Sequence, residues 1–205
     1  MMCGSGRDRG FTRAIDRARA DPVFVDTLID LIVHTTIEYL EGQIQAGAEV
    51  IQIFDSWAQC AQGDLFDRYV IAPTQRIVAG LKRAYPAVPM IGFPRQAGAR
   101  CADYVLQTQV DGVQLDSDVD IQKLRADMGP KIVTQGFLDP VILRTGGDML
   151  DRAIDRILSV TSDMPHIFNL SHGILPDTPI AHVERLVERV RRESETRRAT
   201  RRVAP

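Results

Sequence analysis

The chain has 205 residues, 44% of them apolar and 25% charged, with a formal net charge of −2. That is enough for one sizeable domain with a real core, or for part of a larger one, and the near-neutral charge gives no reason to expect nucleic acid or a membrane surface as a partner. No apolar run approaches the roughly 20 residues that span a bilayer, and Met1-Met2-Cys3-Gly4-Ser5-Gly6-Arg7 lacks the apolar stretch of a secretory signal. Cys3, Cys60 and Cys101 form neither a CxxC pair nor an even disulfide framework, so a reduced, cytoplasmic protein is expected.

Taken in chain order, Pro22 to Gly47 reads as one long helix, with Gly42 the point where it would break. Val50-Ile51-Gln52-Ile53-Phe54 is a short β-rich run that ends at Asp55-Ser56. Leu65 to Arg83 then places Phe66, Val70, Ile77 and Leu81 at helical spacing. Pro89 to Phe93 is a second strand, ending at Pro94-Arg95, and Gly112 to Leu115 a third, ending at Asp116-Ser117. Lys131 to Gln135 is the fourth and ends at Gly136. Met149 to Val160 returns to helical spacing through Leu150, Ile154, Ile157 and Leu158. Ile167 to Leu170 is the fifth strand and ends in Ser171-His172-Gly173. Thr178-Pro179 reads as the start of a helix that continues through Val183, Leu186, Val187 and Val190. The last stretch carries Arg191, Arg192, Arg197, Arg198, Arg201 and Arg202 and reads as a frayed basic tail.

Several of the strands are apolar nearly throughout, as strands covered on both faces are. Their alternation with helices implies parallel strands joined by right-handed crossovers. In such folds ligands bind at the strand C-termini, which would gather Asp55, Ser56, Arg95, Asp116, Ser117, Gln135 and His172 around one opening. Spacing alone leaves open whether five strands make a complete sheet or an incomplete barrel. Each residue also has a plainer reading. Ser56 reads as a helix N-cap, His172 as a hydrogen-bonding turn residue, and Arg95 as one arm of a loop salt bridge. Asp55 reads equally as an orienting group or a partner of the backbone. Asp116 and Asp139 read as turn and capping residues, and His34 and His182 as structural.

Four segments in order, "AGAEVIQIFDSWA", "VPMIGFPRQAG", "VTQGFLDP" and "HIFNLSHGILPDTP", resemble the uroporphyrinogen decarboxylase family. The similarity runs from about residue 1 to about residue 192 and covers only the C-terminal part of that family's barrel. It implies an α/β fold of the parallel (β/α) TIM-barrel type, incomplete, with roughly five of eight strands. Residues 1–192 would form this part of the barrel and residues 193–205 a basic, disordered tail. The resemblance also implies cofactor-free, metal-free removal of carbon dioxide from the acetate side chains of uroporphyrinogen, giving coproporphyrinogen in porphyrin and heme biosynthesis. Protonation of a pyrrole lets the electrons of the departing carboxylate flow into the ring, so the protein must bind a polyanion and move protons.

Carried over by position, Ser56 and His172 match substrate-contacting residues of the family, and Arg95 is added as a cation for a substrate carboxylate. No catalytic group is assigned. Trp57 would pack below the barrel mouth. The family's arginine-rich "RQAGR"-type segment and its early-strand aspartate have no counterpart here, and a family tyrosine would fall near Met1. Three departures stand out: Phe137 replaces the asparagine of "QGNLDP", Ser171 the glycine of "NLGHG", and Gln59 a small residue. The isolated chain is therefore expected to be impaired, and to need a homodimer or a complementary N-terminal fragment. Two alternatives stand beside this reading: an inactive barrel remnant or one half of a split enzyme, and a zinc-dependent methyltransferase of the same superfamily. The second finds no HxC pattern after His172.

Overall fold

Three helices start at an aspartate cap visible in the sequence: Asp21, Asp120 and Asp139. The computed structural model describes residues 11–129 and 132–203, with side chains to Glu195; Met1, Cys3 and Lys131, invoked above, lie outside the described residues. Helix α1 (Thr12–Ala20) leads to Asp21, whose carboxylate accepts the Phe24 N–H at 3.1 Å and starts α2 (Pro22–Gln45) with proline in the first turn. The α2 helix runs through Gly42 without a break. A Cβ at Gly42 would meet nothing within 4 Å, so neither packing nor backbone strain acts there and the helix pays only the propensity cost of glycine.

Strand β1 (Ile51–Asp55) is followed by α3 (Asp64–Phe66), a π-helical turn over Asp67–Ile71, and α4 (Ala72–Ala84). Sequence spacing predicts one helix here, and the π turn has a cause. Pro73 has no N–H for the carbonyl four residues back, and the wider turn absorbs the missing bond. Then come β2 (Met90–Pro94), α5 (Cys101–Thr108), β3 (Gly112–Leu115), α6 (Ile121–Met128) and β4 (Val133–Leu138). The chain closes with α7 (Pro140–Thr145), α8 (Gly147–Val160), β5 (His166–Leu170) and α9 (Ile180–Val203). Residues 193–203, read from sequence as tail, continue the backbone of α9.

The strands form one sheet in the order β1-β2-β3-β4-β5, and the pairings are parallel: Ile51 to Asp55 against Met90 to Pro94, Ile91-Gly92 against Gly112-Val113, and Thr134 to Leu138 against His166 to Leu170. This is the α/β arrangement expected, and it is compatible with an incomplete barrel. The interior strands β2 and β3 are buried at every residue. The terminal strands β1 and β5 are not, because each has a strand on one side only. Phe54 on β1 is 62% exposed and Ile167 on β5 is 44% exposed, so the apolar content of these two strands exceeds what this chain covers.

The chain divides within β3 into two compact units, one up to Val113 and one from Gln114. The first is built on Ile51, Leu81, Met90 and Tyr104, all essentially inaccessible. Gly92 is required beside Tyr104, since a Cβ there would stand 2.5 Å from the phenol oxygen. The second is built on Leu138, Leu143, Leu150, Ile154, Ile157 and Leu158, with Val183, Leu186 and Val190 of α9 packed against them.

Candidate functional site

In the first unit, Asp55, Ser56 and Arg95 stand together at the C-terminal ends of β1 and β2. The Arg95 N–H donates to the Asp55 carbonyl at 3.1 Å, extending the ladder one residue past the paired strands. Burial pushes the Asp55 carboxyl above the usual carboxylate range, and a bond from the Trp57 backbone N–H opposes part of that rise. Ser56 is half-buried in the turn that follows. It does not cap the next helical turn: Trp57 holds the capping position of Ala58–Cys60, and no side-chain cap bond forms. The plain N-cap reading of Ser56 therefore does not hold. Trp57 does not pack in the interior either. It is 44% exposed and tilts against Phe11 with ring centroids 5.5 Å apart.

The loop after β2 carries two arginines with different surroundings. Arg100 is tied to Asp67 at 2.5 Å and Asp103 at 2.8 Å, and its guanidinium lies 4.9 Å from the Phe66 ring centroid. Arg95 Nε is buried with no hydrogen-bond partner among the described residues. Among these residues no salt bridge to Arg95 is formed, so the loop-salt-bridge reading belongs to Arg100 instead. Gln59 Oε1 is likewise buried without a partner.

The second unit gathers Gln114, Gln135, Ser171 and His172. Gln135 Nε2 donates to Gln114 Oε1 at 2.7 Å, and Gln114 Nε2 donates to the Ser171 carbonyl at 3.2 Å. This buried amide chain fixes the backbone that leads into His172. The Ser171 N–H donates to the Leu138 carbonyl at 2.8 Å, which fastens the same turn to β4. His172 is half-buried, with Nδ1 3.1 Å from the Gly173 carbonyl. Gln114 was not singled out from the sequence. The available signal is a long polar side chain inside the otherwise apolar run Gly112 to Leu115.

Asp139 caps α7 through a 2.8 Å bond from the Val141 N–H, as its pairing with Pro140 predicts. Asp120 caps α6, receiving the Gln122 and Lys123 amides at 3.1 Å. His182 is structural, with Nδ1 3.0 Å from the Leu143 carbonyl and 3.1 Å from that of Arg144 at the end of α7. His34 faces Glu38 on the exposed side of α2. A cavity of 740 Å³ opens beside Ser117, Asp120, Phe137, Asp139, Arg152 and Arg156. His172 does not line it. Among the described residues no helix is long and apolar enough to cross a membrane, and no three His, Cys, Asp or Glu side chains cluster as a metal site would require.

The family model for uroporphyrinogen decarboxylase matches residues 1–193. A uroporphyrinogen decarboxylase of Rhizorhabdus wittichii is 46% identical over 192 residues, covering 93% of this chain and 55% of the relative. That of Sphingopyxis alaskensis is 46% identical over 192 residues, with 93% and 56% covered, and that of Caulobacter vibrioides 47% over 190 residues, with 93% and 53%. The chain spans about half the length of the curated relatives it matches. Its matched region carries every strand described above, and the chain belongs to the uroporphyrinogen decarboxylase family.

Proposed function

We propose that this chain supplies one part of a cytoplasmic uroporphyrinogen decarboxylase, which removes carbon dioxide from the acetate side chains of uroporphyrinogen to give coproporphyrinogen. The observation that carries this reading is the family match over residues 1–193. The positions of three side chains support it: Ser56, Arg95 and His172 each follow the C-terminal end of a parallel strand, where ligands bind in folds of this kind. In this reading Arg95 offers its guanidinium to a substrate carboxylate, and Ser56 and His172 contact the tetrapyrrole. The reaction needs no organic cofactor or metal, because the pyrrole ring takes up the electrons of the breaking C–C bond once it is protonated. Carbon dioxide leaves, and a proton replaces it on the side-chain carbon.

The chain alone spans 55% of the relative to which it is 46% identical, and the proposal includes that it turns over slowly or not at all without a partner. That partner is a complementary N-terminal fragment; a second copy is the alternative. The test is an assay of coproporphyrinogen formation by the purified chain, alone and mixed with the remaining segment of the Rhizorhabdus wittichii relative. Activity that appears only in the mixture, and falls at least tenfold in His172→Ala, supports the reading. A mixture with no activity, or one in which Ser56→Ala, Arg95→Ala and His172→Ala all retain full activity, removes it.

A further inference from the structure

The cavity of 740 Å³ in the second unit plays no part in the chemistry proposed above: His172, Gln114 and Gln135 do not line it. Its volume suits a small organic ligand, for which pockets of about 300–1,000 Å³ are usual. One wall is α8, which brings Met149, Arg152, Arg156 and Val160 to the cavity. Arg152 and Arg156 stand one turn apart on the same helix face, about 6 Å along the axis. Like charges so placed repel, and among the described residues neither guanidinium has an ion pair or a hydrogen bond. Other arginines of the unit are neutralised: Arg125 by Asp163, Arg144 by Asp177, Arg185 by Asp151, and Arg189 by Asp151 and Asp155. Asp151 and Asp155 of α8 thus serve α9, and the two arginines of the same helix are left to the cavity.

Carboxylates line the cavity as well. Asp120 gives one oxygen to the Gln122 and Lys123 amides, and Asp139 gives one to the Val141 amide. Asp118 has no partner among the described residues. Apolar surface comes from half-buried Phe137 and Ile142 and from Met149, which is 49% exposed. Two unpaired guanidiniums one turn apart fit a group carrying two negative charges. Carboxylate oxygens accept from hydroxyls or amines and repel a bare anion, so the ligand must hold its charge at one end. The Phe137 ring and its apolar neighbours take a flat or apolar body at the other. We propose that this cavity binds a phosphorylated small molecule of the nucleoside monophosphate class. The phosphate meets Arg152 and Arg156, the sugar hydroxyls donate to Asp118 and Asp120, and the base lies against Phe137, Ile142 and Met149. The site goes beyond the decarboxylase reading and is built from the second unit alone. A dicarboxylate shares the charged head but lacks the hydroxyls and the ring.

The experiment titrates the full chain calorimetrically with adenosine monophosphate, and in parallel with adenosine, inorganic phosphate and succinate. The nucleotide should bind one to one, about tenfold or more tighter than each of the other three, and should raise the urea midpoint of the chain. Arg152→Ala combined with Arg156→Ala should weaken nucleotide binding about tenfold or more, and Met149→Asp should weaken it as well. All three positions are exposed, so the urea midpoint without ligand should stay where it is. Arg191→Ala removes an exposed arginine that does not line the cavity and should leave binding unchanged. The proposal is overturned if the nucleotide does not bind, or binds no better than any of the three comparison compounds. It is equally overturned if binding is indifferent to the double arginine variant, or falls as far in Arg191→Ala, which would mark a general attraction of anions to the surface.

Discussion

Gly136→Ala should strongly destabilise the second unit. Gly136 sits in β4 with φ of +100°, a conformation that side chains rarely adopt. A Cβ there would lie 2.9 Å from the Leu115 carbonyl, 3.2 Å from the Leu170 carbonyl and 3.2 Å from Gln114 Cγ. Two of those three atoms are backbone in the strands on either side, so they move only if the ladder does. Backbone strain at such a residue costs about 1–3 kcal/mol, and forcing a methyl into a packed site adds about 1–3 kcal/mol. The sum is about 2–6 kcal/mol, a large fraction of a domain's stability.

Two other glycines separate the contributions. Gly147 has φ of +59° with nothing within 4 Å of a Cβ, so Gly147→Ala carries strain alone and should cost about 1–2 kcal/mol. Gly173 has neither a positive φ nor a neighbour within 4 Å, and Gly173→Ala should stay within about 0.5 kcal/mol. Urea denaturation of the three variants, followed by circular dichroism, ranks them through the transition midpoint at constant slope. If Gly136→Ala loses no more than Gly147→Ala, the flanking carbonyls are not where the reasoning puts them.

Leu150 is fully inaccessible at the centre of the α8 contacts, so Leu150→Ala should cost about 2–5 kcal/mol in the same denaturation assay. Burial holds His166 neutral, lowering its pKa from 6.5 to about 4. A histidine depressed in this way adds stability above its unfolded pKa and loses it as pH falls toward the folded value. Stability should thus drop by about 2 kcal/mol between pH 7 and pH 5; a His166→Phe variant that keeps the same drop would refute the assignment. Gln114→Leu removes the acceptor of the buried bond from Gln135 Nε2 and should cost about 1–3 kcal/mol. A double-mutant cycle with Gln135→Leu should then show the two losses to be strongly non-additive.

The strands and their order were legible because the chain writes them as short, nearly unbroken apolar runs, each closed by a polar turn. Asp139-Pro140 announced its cap for the same local reason. What the sequence concealed depends on neighbours distant along the chain. The Gln114–Gln135 amide pair joins two strands and shows in neither run alone. The division of labour between Arg95 and Arg100 is decided by Asp67, more than thirty residues upstream of Arg100. The π turn lay within reach through Pro73, but periodicity alone reads past it.

Phe137 shows how the two kinds of information combine. From sequence it was a departure from the family's "QGNLDP", read as a lost amide. In the structure its φ is +91°, a region that asparagine enters far more readily than phenylalanine. Asparagine at that position is therefore explained by the backbone without any contact to substrate. This chain keeps the turn with a residue that fits it poorly and sets the ring against the Leu138–Leu150 core. The burial gained offsets part of the strain. The departure thus weighs less against the proposed activity than it did as a missing polar group. The weight shifts to the open edge of β5, where the apolar surface left uncovered is a property of the whole unit and of no single motif.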